Sequence, residues 1–190
     1  GVVIVSLVLA CALLGDAMMY AVLPTSVENF GLTVGLVGVL LSANRFVRLI
    51  SNPVAAIVYD WFGIKRPMLV AIVFAVGSTT AYGLFHSFWP LLVARLVWGI
   101  SFSFLRLGGY LVILEEGSVL VRGRLMGFFT AVQRSGNLVG VTIGAFLADL
   151  IGPSSTFLLF ALLTSVGIPL ALVHRPAVYV DEPGFTPKPL

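Results

Sequence analysis

A single cysteine, Cys11, leaves no partner for an internal disulfide, so neither a disulfide scaffold nor a redox compartment can be read from the chain. Histidine is almost as scarce. His86 and His174 stand isolated, and no Cys/His cluster has the spacing of a metal site, so no metal is expected. No Gly-x4-Gly-Lys-Ser/Thr loop is present to cradle a nucleotide phosphate, and no cofactor is implied. Charged residues make up only 10% of the sequence, against roughly 25% in soluble domains. The net charge of +3 and pI near 9.4 would suit nucleic acid, but the cations lie mostly inside apolar runs or in short loops. Nucleic acid is therefore not an expected partner.

Apolar residues, by contrast, reach 59%, with a mean hydropathy of +1.08. The apolar runs recur, and they exceed the ~20 residues that a helix needs to cross a bilayer. Polar, Gly- and Pro-bearing breaks divide the chain into six spans: about Val2–Leu23, Val34–Tyr59, Met68–Phe85, Trp89–Ile113, Leu125–Leu150 and Thr156–Val173. The first is not a signal peptide, because it lacks a basic leader, runs too long and is followed by five more. The chain begins on Gly1 without an initiating Met, so a trimmed start or a fragment is expected. The fold class is all-α: a polytopic membrane bundle over residues 1–173, with a proline-rich cytoplasmic linker or tail over 174–190.

Lys/Arg asymmetry sets the orientation. Loops after spans 2, 4 and 6 hold Lys65, Arg66, Arg122, Arg124, Arg175 and Lys188, whereas loops after spans 1, 3 and 5 hold none. The first set, and with it the N-terminus, is expected in the cytoplasm, with the bundle integral to the plasma (cytoplasmic) membrane. Tyr59 and Trp89 are expected as aromatic anchors at opposite interfaces.

Five of the nine arginines nevertheless lie inside the apolar stretches: Arg45, Arg48, Arg95, Arg106 and Arg134. At roughly 2.5–3.5 kcal/mol each, exposing all five to lipid would cost ~12–17 kcal/mol, so they must face a bundle interior, an aqueous cavity or a carboxylate. Arg45 and Arg48 straddle the middle of span 2 as i, i+3 neighbours, on a face extended by Asn44, Ser51 and Asn52. Eleven residues separate Arg95 from Arg106, an offset of only about 20° around the helix, so both point the same way. Arg134 sits mid-span with Thr130, Gln133 and Asn137 within a turn. Asp16, one turn from Tyr20, is the one deeply placed acid, either a proton or cation site or a salt-bridge partner for an arginine. The arginines either pair with carboxylates or line a solute pathway, and their excess over Asp16 calls for carboxylates elsewhere or for an anionic solute. Gly136, Gly140 and Gly144 form a small-xxx-small seam that permits close helix approach.

Ala56-Ile-Val-Tyr-Asp60-Trp-Phe-Gly63-Ile-Lys65-Arg66 resembles the Gly-x-x-x-Asp-Arg/Lys-x-Gly-Arg-Arg/Lys signature of the major facilitator superfamily. Asp60, Gly63, Lys65 and Arg66 match, while Ala56, Trp61 and Ile64 depart from the pattern. The resemblance implies a cytoplasmic latch loop between helices 2 and 3. Arg95-Leu-Val-Trp-Gly99-Ile-Ser-Phe resembles the family's helix 4 motif Arg-x-x-x-Gly-x-Gly, whose arginine is implicated in proton coupling; Ser101 replaces the second glycine. The Gly136/Gly140/Gly144 run partly resembles the helix 5 motif, with Val141 and Ala145 in place of its Pro and last Gly. Arg122, Arg124 and Gly127 are similar to the loop into helix 5. The resemblance implies the amino-terminal six-helix half of a transporter, made of two inverted three-helix repeats, although the sequence itself shows no repeat. Its expected partners are the lipid bilayer, a small-molecule substrate, protons, and a second six-helix half or partner chain.

The function expected is that of a secondary transporter half, with a pathway formed by Asp16, Asn44, Arg45, Arg48, Arg95, Arg106, Arg134 and Asn137, and with Gly99 joining the glycine seam in helix packing. The alternative is a non-transporting membrane scaffold or truncated half that requires a partner. An enzyme is not expected, since the one paired acid, Glu115-Glu116, falls in a loop. Lipophilic and anionic substrates both remain open.

Overall fold

The two connections richest in cations prove far shorter than the sequence suggests. A computed structural model of the chain describes residues 1–27 and 30–173; the expected tail at 174–190, with Arg175 and Lys188, lies outside the described residues. The described residues form helices α1 (Val2–Thr25), α2 (Val34–Phe62), α3 (Lys65–Leu84), α4 (Phe88–Glu116), α5 (Arg122–Ile151), α6 (Pro153–Ser165) and α7 (Gly167–Val173). Lys65 and Arg66, expected in a loop, open α3, and Arg122 and Arg124 open α5. Between α2 and α3 only Gly63 and Ile64 remain. Gly63 makes so tight a turn possible, because its φ of 68° and ψ of −178° fall in a region open essentially to glycine alone.

The sixth expected span is broken into α6 and α7 at Val166. Pro169 lacks the N–H that would bond the Ser165 carbonyl, and the adjoining Gly167 tolerates the interruption. A second difference concerns Tyr59. It is buried, with its hydroxyl donating to the Phe104 carbonyl at 2.7 Å, whereas Trp61, 77% exposed, takes the outer position at that end of α2. Two residues turn a helix by about 200°, so the two rings face opposite ways.

Among the described residues, five stretches are long and apolar enough to cross a membrane: α1, α2, α3, α4 and the combined Pro153–Leu172. α5 is as long, at 30 residues, but carries the polar set around Arg134. At ~1.5 Å per residue, α1 and α2 extend about 36 and 44 Å, more than the ~30 Å hydrocarbon core of a bilayer. The helix ends gather in two sets. The Val2 N–H at the start of α1 donates to Glu116 at the end of α4, and Lys65 at the start of α3 donates to the Leu172 carbonyl. At the opposite end, His86 stacks on Phe30 and hydrogen-bonds Ser154.

α1 packs chiefly on α5, and α4 on α2 and α3. Exchanging the triplet α1–α3 for α4–α6 maps the α1–α5 contact onto α4–α2, and α1–α6 onto α4–α3. Successive helices alternate in direction, so α1 and α4 run oppositely, which is the arrangement of inverted repeats. Large apolar side chains such as Phe46, Leu49, Ile57, Val73, Phe146 and Leu162 remain on the outer flanks, suited to lipid.

Candidate functional site

Close helix approach sets the depth of the site. A Cβ added at Gly136, Gly140 or Gly144 would fall within 3 Å of atoms of Ala10, Leu14 and Met18 respectively, so the seam brings α5 directly onto the α1 backbone. On the symmetry-related side, a Cβ at Gly99 would lie 2.6 Å from the Asn44 carbonyl oxygen, which brings α4 equally close to α2. Between these two tight pairs runs a cleft of about 520 Å³. Leu13, Asp16 and Tyr20 of α1 line it, with Arg45 and Arg48 of α2 and Phe102, Arg106 and Tyr110 of α4. α5 adds Thr130, Gln133, Arg134, Asn137 and Val141, and neither α3 nor α6 contributes.

At the floor lies a buried ion pair. Arg95, 0% exposed, donates from a guanidinium nitrogen to an Asp16 carboxylate oxygen and from Nε to the Leu40 carbonyl at 3.2 Å. Asn44, also buried, donates to the same Asp16 oxygen at 3.2 Å and accepts from the Tyr20 hydroxyl at 3.3 Å. The rings of Tyr20 and Tyr82 flank the guanidinium at 5.0 and 5.8 Å. An ionised pair this deep persists only when its remaining hydrogen-bonding groups are largely met. Even so, one terminal nitrogen of Arg95 lacks an acceptor among the described residues.

The other four intramembrane arginines face the cleft. Arg45 sits over the Tyr20 ring at 5.6 Å, Arg48 over Phe102 at 3.8 Å, and Arg106 donates to the Tyr110 hydroxyl at 2.8 Å. Arg134 is exposed on α5. Of the expected pathway residues, Asp16, Arg45, Arg48, Arg106, Arg134 and Asn137 therefore meet at one surface, while Asn44 and Arg95 lie beneath it. Arg95 and Arg106 do not stack along one passage, since α2 covers α4 around Gly99 and leaves only the Arg106 end open. Ser51 turns inward to Ser103 at 2.7 Å, and Asn52 is exposed but does not line the cleft. Asp60, Gly63, Lys65 and Arg66 cluster at the α2–α3 turn, remote from the cleft and exposed.

Sequence reading missed Tyr110 and Tyr82. The i, i+4 spacing of Tyr110 from Arg106 was a usable signal. Tyr82 reaches Arg95 from another helix and left none. Among the described residues no group of three or more His, Cys, Asp or Glu side chains is placed to hold a metal.

Apolar outer flanks around a charged, four-helix cleft define a polytopic membrane protein of transporter architecture. The same fold occurs in the inward-open xylose transporter XylE from E. coli, at a TM-score of 0.75 and 14% identity, over 92% of this chain and 47% of that one. The chain belongs to the Major Facilitator Superfamily, whose family model matches residues 5–190. It is 28% identical over 138 residues to multidrug resistance protein 1 of Bacillus subtilis (strain 168), covering 73% of this chain and 36% of the relative. Quinolone resistance protein NorA of Staphylococcus aureus (strain MRSA252) is 25% identical over 136 residues, which is 72% of this chain and 35% of the relative. The chain thus matches about a third of the length of these curated relatives.

Proposed function

We propose that this chain forms the amino-terminal half of a secondary transporter that moves a small organic solute by alternating access. The observation that carries this reading is the cleft itself, lined by α1, α2, α4 and α5 alone and floored by the Asp16–Arg95 pair. α3 and α6 pack together outside it as support. A second six-helix half, or a partner chain, closes the cleft, and rocking of the two exposes it to each side in turn. The resistance proteins among the relatives support a drug-like organic solute.

Within this reading, Asp16 and Arg95 form the ion-coupling element. Protonating Asp16 removes the charge that holds Arg95, freeing the guanidinium, still anchored through Nε on the Leu40 carbonyl, to pair with solute. Asp60, Gly63, Lys65 and Arg66 form the latch that fastens the halves in one state, with the α2–α3 turn and the N-terminus in the cytoplasm.

The test is solute uptake or efflux in vesicles carrying the native-length protein. Arg45→Gln abolishes transport while leaving folded yield unchanged, because Arg45 is exposed to the cleft and makes no ion pair among the described residues. Unaltered flux in that variant would remove Arg45 from the pathway. Normal assembly without flux of any solute by the unaltered protein would favour a scaffold.

A further inference from the structure

Among the described residues, the cleft carries a positive charge that no side chain neutralises. Asp16 and Arg95 cancel each other, so the surface presents Arg45, Arg48, Arg106 and Arg134. None of these four makes an ion pair among the described residues. The contacts that hold them are neutral: the Tyr20 ring under Arg45, the Phe102 ring under Arg48 and the Tyr110 hydroxyl beside Arg106. Ring faces orient a guanidinium without using its N–H donors, of which each arginine has five. Nε of Arg48 finds no acceptor among the described residues, and Arg106 uses one donor on Tyr110.

Four like charges around one cleft between helices repel any cationic solute, and the low-dielectric walls strengthen that repulsion. The same fork-shaped donors match the oxygens of a carboxylate or phosphoryl group two at a time. We infer that the solute is an organic anion, whose carboxylate or phosphoryl groups seat on Arg45 and Arg48 from α2 and on Arg134 from α5. Arg106 completes the positive rim. The inference rests on the transporter reading and narrows it to a substrate class, excluding organic cations.

The test uses native-length protein purified from its membrane and reconstituted in lipid nanodiscs and vesicles, with five probes of similar size. Phthalate and phenyl phosphate are dianions, benzoate a monoanion, benzamide neutral and benzyltrimethylammonium a cation. Binding and counterflow rank the dianions first, benzoate next and benzamide last, with no binding of the cation. Affinity for phthalate falls as salt rises. Arg134→Gln lowers it about tenfold or more, the loss expected for a charge-assisted bidentate contact, and Arg134→Lys restores part. Phenyl phosphate outranking phthalate assigns a phosphoryl solute, and the reverse a carboxylate. Equal or tighter binding of the cation, or phthalate affinity unmoved by Arg134→Gln in folded protein, overturns the anion assignment and leaves the transporter reading standing. Absence of binding and flux for all five, with a broad solute panel also inert, overturns both.

Discussion

At the scale of single residues, the decisive arrangement is Asp16 against Arg95. Both are buried, at 5% and 0% exposure, so each depends on the other to remain charged in the interior. Asp16→Asn strands the Arg95 charge and lowers stability by about 3–5 kcal/mol, whereas Asp16→Asn with Arg95→Gln recovers most of the loss. Thermal unfolding of the two variants in detergent measures this, and equal stability of the single variant and the parent would show that the pair carries no structural weight. The sequence flagged all five arginines and the one deep acid, because hydropathy alone makes such residues conspicuous. Which arginine took the acid was not legible. Arg95 lies 79 residues from Asp16, and helical periodicity orders side chains within a helix without registering one helix against another.

Between helices, glycine sets the spacing. Gly140→Ala places a methyl group 2.6 Å from the Leu14 carbonyl oxygen, so α5 must shift off α1, at about 1–3 kcal/mol. Gly127→Ala, on the same helix with nothing within 4 Å, is tolerated and gains up to about 1 kcal/mol in helix propensity. Matched denaturation of the two variants separates packing from propensity; equal effects would refute the seam. Gly63→Ala costs about 1–3 kcal/mol for a different reason, its backbone conformation. The Gly136/Gly140/Gly144 seam was legible as a four-residue repeat, but its partner helix was not, since small residues mark a close approach without naming what approaches. The break between α6 and α7 was also overlooked, although Pro169 signals it, because a continuous apolar run masks a local loss of hydrogen bonding.

For the molecule as a whole, orientation is the property most open to direct measurement. Cys11 is the one cysteine of these 190 residues, so Cys11→Ser, with any cysteine elsewhere in the native-length protein also replaced, provides a background free of thiols. In it, Ser87→Cys at the start of α4 reacts with a membrane-impermeant maleimide added to intact cells, and Gly123→Cys at the start of α5 reacts only after lysis. The reverse pattern would invert the proposed topology. The three-helix exchange symmetry became visible only in the packing, because a repeat of shape needs the same pattern of burial and not the same residues. The ion pair also carries a consequence for biogenesis. α1 leaves the ribosome before α4, and at roughly 5–20 residues per second the 79 residues from Asp16 to Arg95 take about 4–16 s to make. During that interval the acid lacks Arg95, its partner in the folded bundle, and at a helix centre an unpaired acid costs roughly 2.5–3.5 kcal/mol against insertion. The dense apolar sequence around it, with every residue from Ala12 to Met19 buried in the folded bundle, supplies the insertion energy that offsets this cost before Arg95 arrives.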